Sequence, residues 1–190
     1  VYDGALHIGW DLGRERTPAA VVVVDKTSQF IRLVHAKEFA LGTPYVSQMA
    51  YIKSLCDRWK HVYTVSYDHT GTKGMDEQIN KVGFPGLKPV DFTKPMKHSL
   101  AVNLKELMIT PREEDKQLPT EDARRRFELP YNQDLAAWLN VVQWEQKSGS
   151  ELYEFSHPEA SHDDVFWAVG LACYAAATHP KGPEGRIAVI

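Results

Sequence analysis

Ala5-Leu6-His7-Ile8-Gly9-Trp10-Asp11 alternates, with Leu6, Ile8 and Trp10 on one side and His7, Gly9 and Asp11 on the other, the two-residue period of a strand. Leu12-Gly13 and the residues up to Pro18 read as a turn. Val21-Val22-Val23-Val24 predicts a second strand over residues 19–25, and residues 30–39 predict a third after the polar break Lys26-Thr27-Ser28-Gln29. The short connections make these three an antiparallel meander. Thr43-Pro44 then reads as an N-cap followed by proline at the first helical position. Tyr45, Met49, Ile52, Cys56 and Trp59 follow at helical spacing, an amphipathic helix of about four turns. Residues 62–68 predict a fourth strand, which the intervening helix allows to lie parallel to the first.

Further out the alternation of strand and helix continues. Residues 71–82 predict a short helix after a glycine-bearing turn, residues 87–93 a fifth strand, and Leu100, Leu104, Leu107 and Met108 a helix face. From 110 to 130 charges dominate, as in Arg112-Glu113-Glu114-Asp115-Lys116 and Glu121-Asp122-Ala123-Arg124-Arg125-Arg126, which predicts an exposed insertion. Leu135, Trp138, Leu139 and Val142 restore helical spacing, and Ser148-Gly149-Ser150 reads as the turn of a hairpin ending near Phe155. A last helix beginning at Ser161 or His162 is apolar all round, which implies burial on several sides. Residues 179–190, with Pro180, Gly182, Pro183 and Gly185, predict an irregular tail. Tyr131, Trp138 and Trp144 are expected in the core. With one composition regime and no repeat, the expectation is a single α/β domain over residues 1–190.

Composition removes several classes. The 190 residues are 43% apolar and 25% charged, which excludes disordered, collagen-like and coiled-coil chains. The longest apolar run, residues 165–177, is shorter than the roughly 20 residues of a membrane-spanning helix. Val1-Tyr2-Asp3-Gly4-Ala5 does not read as a secretory signal, so a cytosolic setting is expected. Cys56 and Cys173 form no Cys-x-x-Cys pair, so neither a zinc ribbon nor a disulfide framework is predicted, and both are expected to be buried small apolar residues. His61, His69, His157 and His162 likewise lack compact zinc-ligand spacing. The formal net charge of -3 gives no whole-molecule attraction for nucleic acid, so any such contact requires a local basic patch.

Three acidic positions fall where the chain changes direction: Asp11 in the first strand, Asp68 at the end of the fourth, and Asp163-Asp164 at the mouth of the last helix. Carboxylates on neighbouring strand ends repel one another unless a cation lies between them, and hard oxygen ligands suit Mg²⁺ or Mn²⁺. Two such ions about 3.5 to 4 Å apart can activate a water on one side of a phosphodiester and stabilise the leaving oxygen on the other. Each position also has a structural reading. Asp11 before Leu12-Gly13 fits turn chemistry, Asp68-His69-Thr70-Gly71 fits a strand-to-loop cap, and Ser161-His162-Asp163-Asp164 fits a capping box. A division of labour would have Asp164 helping to cap the helix while Asp163 faces the metals.

Taken together, Gly9-Trp10-Asp11-Leu12-Gly13 with Thr17-Pro18-Ala19-Ala20, then Tyr67-Asp68-His69-Thr70-Gly71-Thr72-Lys73-Gly74, and finally Ser161-His162-Asp163-Asp164 before an Ala-rich helix carry a more specific signal. In this order they resemble the C-terminal nuclease domain of the large terminase subunit of tailed bacteriophages and related viruses. The resemblance runs from about Leu6 to Ala177. It implies a ribonuclease H-like mixed five-stranded sheet with helices on both faces. It further implies that Asp11, Asp68 and Asp163 are catalytic and hold two Mg²⁺ or Mn²⁺ ions, with Asp164 as an additional or substitute ligand. The implied activity is metal-dependent cleavage of double-stranded concatemeric viral DNA during genome packaging, in the host cytoplasm. Phe92-Thr93-Lys94 to Lys97 resembles the family segment in which a lysine approaches the acidic site, which makes Lys97 an auxiliary residue, as His162 is beside the aspartates.

The implied DNA contacts are Arg14 and Arg16 beside the first aspartate, Lys73 beside the second, Lys94, and Arg124, Arg125 and Arg126, the densest basic run. That triplet also reads as a solvated face paired with Glu121 and Asp122. A complete large terminase carries an ATPase motor, and this sequence holds no Gly-x-x-x-x-Gly-Lys-Ser/Thr phosphate loop. The chain is therefore expected to be an excised nuclease domain whose partners would include an N-terminal motor domain, the portal and the small terminase subunit, and no membrane. Alternatives are a Holliday-junction resolvase or transposase-like nuclease of the same fold, and a catalytically silent DNA-binding or docking module. An actin-like or sugar-kinase-like ATPase shares the look of Ile8-Gly9-Trp10-Asp11-Leu12-Gly13 but needs a second phosphate turn that the sequence lacks.

Overall fold

A computed structural model describes residues 4–13, 15–27, 30–70, 72, 74–108, 127–159 and 161–178. Two sheets and five helices account for the described elements. Strands β1 (Ala5–Asp11), β2 (Ala20–Lys26) and β3 (Ile31–Glu38) form the expected antiparallel meander. Helix α1 (Tyr45–Arg58) carries the chain across so that β4 (Val62–Asp68) lies parallel to β1. After α2 (Asp76–Val82), β5 (Leu87–Val90) adds in parallel to β4. Helix α3 (Lys94–Met108) follows, and then a sixth strand, β6 (Phe127–Glu128), pairs in parallel with β3. The mixed sheet therefore has the order β5-β4-β1-β2-β3-β6. Helix α4 (Gln133–Asn140), a separate hairpin of β7 (Gln143–Gln146) and β8 (Tyr153–Ser156), and α5 (Asp164–Thr178) complete the described chain.

The sheet is covered on both faces. Leu6, Ile8 and Trp10 pack with Met49, Ile52 and Leu55 of α1 and Ile79 of α2. Ala20, Val22 and Val24 on the other face pack against Val165, Ala168, Val169, Ala172, Cys173 and Ala176 of α5, with Leu104 of α3 and Leu135 of α4 alongside. This two-sided cover explains why Val21-Val22-Val23-Val24 is a continuous apolar run rather than an alternating one. It also buries every residue of β1, including His7 and Asp11, although β1 alternates like a strand with one wet face.

Gly9 lies where β1 meets α5. A Cβ on Gly9 would stand 2.0 Å from the Ala168 carbonyl oxygen and 2.6 Å from the Ala172 nitrogen, so only glycine lets the helix backbone close onto the strand. The last helix is apolar all round for the same reason: it is wedged between the central sheet and α3.

Several local expectations differ from the structure. The sixth strand extends the expected five-stranded sheet. It lies inside the last residues of the expected 110–130 insertion, because Phe127 is drawn into the core beside Ile31 and Leu33. Residues 109–126 and the tail 179–190 lie outside the described residues. Helix α1 has Pro44, not Thr43, at its N-cap position, and the Thr43 hydroxyl donates instead to the Ala40 carbonyl at 2.6 Å. Tyr131 and Trp144 are not core residues: they are 99% and 55% exposed. Trp138 does pack against the α5 side of the core. Cys173 is buried as expected, whereas Cys56 is only half-buried.

Candidate active site

The parallel pairing of β1 and β4 places Trp10 opposite Tyr67, so Asp11 and Asp68 leave the carboxyl ends of adjacent strands. In open α/β sheets such strand ends form the usual ligand crevice. The N-terminal end of α5 brings Asp163 and Asp164 to the same place. Burial raises the Asp11 carboxyl well above the usual carboxylate range, and Asp164, Asp68 and Asp163 raise it further in that order. Lys97, from the first turn of α3, acts on it in the opposite sense. The other three aspartates and the lysine singled out in the sequence thus converge within electrostatic reach of Asp11.

Each carboxylate is held differently. Asp68 Oδ1 accepts from the Thr70 N–H at 2.8 Å, the local cap that its sequence context suggests. Thr70 Oγ1 in turn accepts from the Phe92 N–H at 2.7 Å, which ties the Asp68 loop to the chain after β5. His69 extends that tie, with Nδ1 2.8 Å from Asp91 and Nε2 3.0 Å from Asp76. Its hydrogen bond to Asp91 is the main reason that its imidazole is raised above its ordinary value.

Helix α5 begins at Asp164, not at Ser161 or His162. Ser161 lies two residues before the N-cap position of α5, and its Oγ donates to the Pro158 carbonyl at 2.7 Å, so the expected capping box does not form. Asp163, just before the helix, accepts from Trp167 Nε1–H through Oδ2 at 2.6 Å, and its Oδ1 lies 3.8 Å from His157 Nε2. Asp164 is buried, and its Oδ2 has no hydrogen-bond partner. Burial and then Asp163 push its carboxyl up to about 6, while its own backbone N–H, a hydrogen bond from Thr17 and the nearby His162 pull the other way. Among the neighbouring carboxylates Asp164 also has the largest effect on Asp11. Both aspartates therefore act on Asp11, Asp164 more strongly than Asp163, and Asp163 is in addition tied to the helix through Trp167.

The loop after β1 is shaped to serve this arrangement. Gln48 of α1 accepts from Trp10 Nε1–H at 3.0 Å and donates to the carbonyls of Gly13 and Thr43, each at 2.9 Å. A Cβ on Gly13 would stand 1.8 Å from the Pro18 carbonyl oxygen, so the loop closes tightly enough to bring Thr17 to Asp164. Gln48, Thr17 and Trp167 were not read as site residues, although Thr17 lies in the quoted Thr17-Pro18-Ala19-Ala20 stretch and Trp167 stands four residues from Asp163 on one helix.

The basic candidates separate. Lys97 is brought to the carboxylates. Lys94 stands beside it but pairs with Glu154 at 2.7 Å, and Lys147 first and then Lys94 hold that carboxyl down to about 2. Arg16 is exposed on the loop that carries Thr17. Arg14, Lys73, Arg124, Arg125 and Arg126 lie outside the described residues.

The donor set suits a divalent cation: hard oxygens only, one carboxyl destabilised by burial and its neighbours, and one buried carboxylate oxygen without a partner. Among the described residues no three His, Cys, Asp or Glu side chains form a ready-made cage. The carboxylates face one another at electrostatic range, and their repulsion is what a bound cation would relieve.

No protein-family model and no curated protein matches the sequence. Solved structures do match. The large terminase nuclease from thermophilic phage G20c is 18% identical, with a TM-score of 0.69, over 90% of this chain and 81% of that one. That nuclease is also known with bound magnesium and with bound cobalt. The large terminase nuclease domain of Thermus phage P74-26 is 17% identical, with a TM-score of 0.67, over 91% of this chain and 80% of that one. The nuclease domain of the large terminase subunit gp2 of bacterial virus Sf6 is 11% identical, with a TM-score of 0.67, over 96% of this chain and 91% of that one. At these identities the similarity establishes the fold, the ribonuclease H-like one of these domains.

Proposed function

We propose that this chain is a divalent-metal-dependent endonuclease that cuts double-stranded concatemeric DNA during viral genome packaging. The observation that carries the reading is the convergence of Asp68, Asp163 and Asp164 on the buried Asp11 at the carboxyl ends of β1 and β4. The shared fold with terminase nucleases supports it.

In this reading Asp11, Asp68, Asp163 and Asp164 hold two Mg²⁺ or Mn²⁺ ions. Such ions supply an activated water and charge stabilisation at the leaving oxygen of a phosphodiester. The residues of the chain provide the frame. Asp11 is fixed by the strand, Asp68 by the Thr70 N–H, Asp163 by the Trp167 indole, and Asp164 by Thr17. Lys97 supplies positive charge beside the carboxylates and can meet a phosphate oxygen there, with His162 as an auxiliary. Arg14, Arg16, Lys73, Lys94 and Arg124, Arg125 and Arg126 are the proposed backbone contacts, with Lys94 shared between DNA and Glu154. The chain would work in the host cytoplasm as one domain of a large terminase subunit, beside an ATPase motor domain, the portal and the small subunit.

The test is incubation of supercoiled plasmid with the purified chain in Mg²⁺, Mn²⁺ or EDTA. Nicking or linearisation with metal, and none in EDTA, is the expected result. DNA retention with intact plasmid under every metal would instead favour a docking module. Cutting confined to four-way junctions would favour the resolvase reading.

A further inference from the structure

One side chain touches both the acid and the cation of this site. Trp167 is 2% exposed and stands one turn into α5, four residues after Asp163. Its indole N–H donates to Asp163 Oδ2 at 2.6 Å. The Lys97 ammonium lies 4.6 Å from the Trp167 ring centroid and 5.4 Å from that of Phe92. Phe92, Phe155 and Phe166 surround the indole at centroid distances of 5.7, 5.4 and 5.0 Å, so the ring has little room to turn.

Both contacts answer a physical problem. A buried indole requires a partner for its N–H, and here the partner is a carboxylate of the site rather than a backbone carbonyl. Lys97 lies in the first turn of α3, where the helix dipole disfavours a cation, and the faces of Trp167 and Phe92 supply a compensating attraction. With Oδ2 engaged by the indole, Asp163 presents Oδ1, whose neighbour His157 is too distant for a hydrogen bond.

We propose that Trp167 is a positioning residue that orients the Asp163 carboxylate for metal and sets the Lys97 ammonium relative to it. The proposal rests on the metal-dependent nuclease reading. Trp167→Phe keeps a ring face for Lys97 and removes only the N–H, whereas Trp167→Leu removes both.

The test is titration of the full chain with Mn²⁺, reading free Mn²⁺ by electron paramagnetic resonance, alongside plasmid nicking across the same concentrations. Trp167→Phe is expected to raise half-saturating Mn²⁺ by about tenfold, the scale for loss of a group that orients a metal ligand, with a smaller loss of rate at saturation. Trp167→Leu is expected to lower the saturated rate further. In an Asp163→Ala background Trp167→Phe is expected to shift half-saturation by less than about twofold, because the carboxylate it orients is gone. Trp167→Met keeps much of the apolar bulk without any strong hydrogen-bond donor, and serves where phenylalanine unfolds the chain.

A folded Trp167→Phe protein that binds Mn²⁺ as tightly as the wild type overturns the proposal. So does an equal weakening with and without Asp163, which would mark a general packing loss. Wild-type protein that neither binds Mn²⁺ nor nicks DNA would overturn the nuclease reading itself, an outcome visible before any variant is compared.

Discussion

Asp11→Asn is expected to abolish metal-dependent cleavage, a loss on the order of 10³-fold or more, and at the same time to stabilise the metal-free protein at neutral pH. The activity loss follows from removing the carboxylate at which the other three converge, since metal charge stabilisation is worth several kcal/mol and about 4 kcal/mol corresponds to 10³ in rate. The stability gain follows from burial. The folded Asp11 carboxyl is raised well above its unfolded value of 3.8, so between the two the folded state keeps a proton that the unfolded state has lost. Stability therefore falls as pH rises through that window.

Asp164 has the same sign, with its window running from 3.8 to about 6. It is raised by burial first and then by Asp163. In EDTA, wild-type thermal stability should decline from about pH 4 upward, and the Asp11→Asn protein should decline less. At pH 8 the variant is expected to melt about 3 °C higher or more, which for a chain of this length is about 1 kcal/mol. Mn²⁺ should raise the wild-type melting temperature, by about 2.7 kcal/mol of stabilisation at a hundredfold excess over Kd, and barely move the variant. A variant that cuts plasmid at the wild-type rate would remove Asp11 from the chemistry. One that melts lower at pH 8 would show that its carboxylate is paired rather than destabilised.

Gly9→Ala is expected to destabilise the chain by about 3 kcal/mol or more, large for a single methyl group. The added carbon would meet the Ala168 carbonyl and the Ala172 nitrogen, and neither can rotate aside because both belong to the α5 backbone. Relief requires the helix to retreat from β1. That same helix carries Asp163 and Asp164, so the retreat would also separate them from Asp11. The check is denaturant unfolding, with a lower midpoint at unchanged slope, together with a higher Mn²⁺ requirement in whatever fraction remains folded. A loss below about 1 kcal/mol would mean that α5 has slack against the sheet.

Much of this was legible before any tertiary contact was known. The alternation over residues 5–11, the valine run after it and the helix between the third and fourth strands dictate a meander joined to a parallel strand. Asp11 and Asp68 could be read as strand-end acids because each closes an apolar strand, and both strands end where the sequence said. Local patterns carry such information because a strand's period and its breakers act over a few residues.

Other features depended on what folds over what. Phe127 joins the sheet as β6 despite its charged surroundings, because Ile31 and Leu33 offer an apolar edge. Tyr131 lies almost fully in solvent, and Trp144 rests only against Tyr153 and Lys105 at the surface, although their residue type suggested burial.

The sequence by itself determined the order of the first five strands and the helices between them, and which acids stand at element ends, since both follow from short-range periodicity and from where it stops. Only the tertiary structure decided that Asp163 and Asp164 both act on a buried Asp11, that α5 closes onto β1 at Gly9, and that Trp167 joins Asp163 to Lys97. Those outcomes depend on how far α5 and α3 close onto the sheet, a balance of packing and charge among residues up to about 160 positions apart.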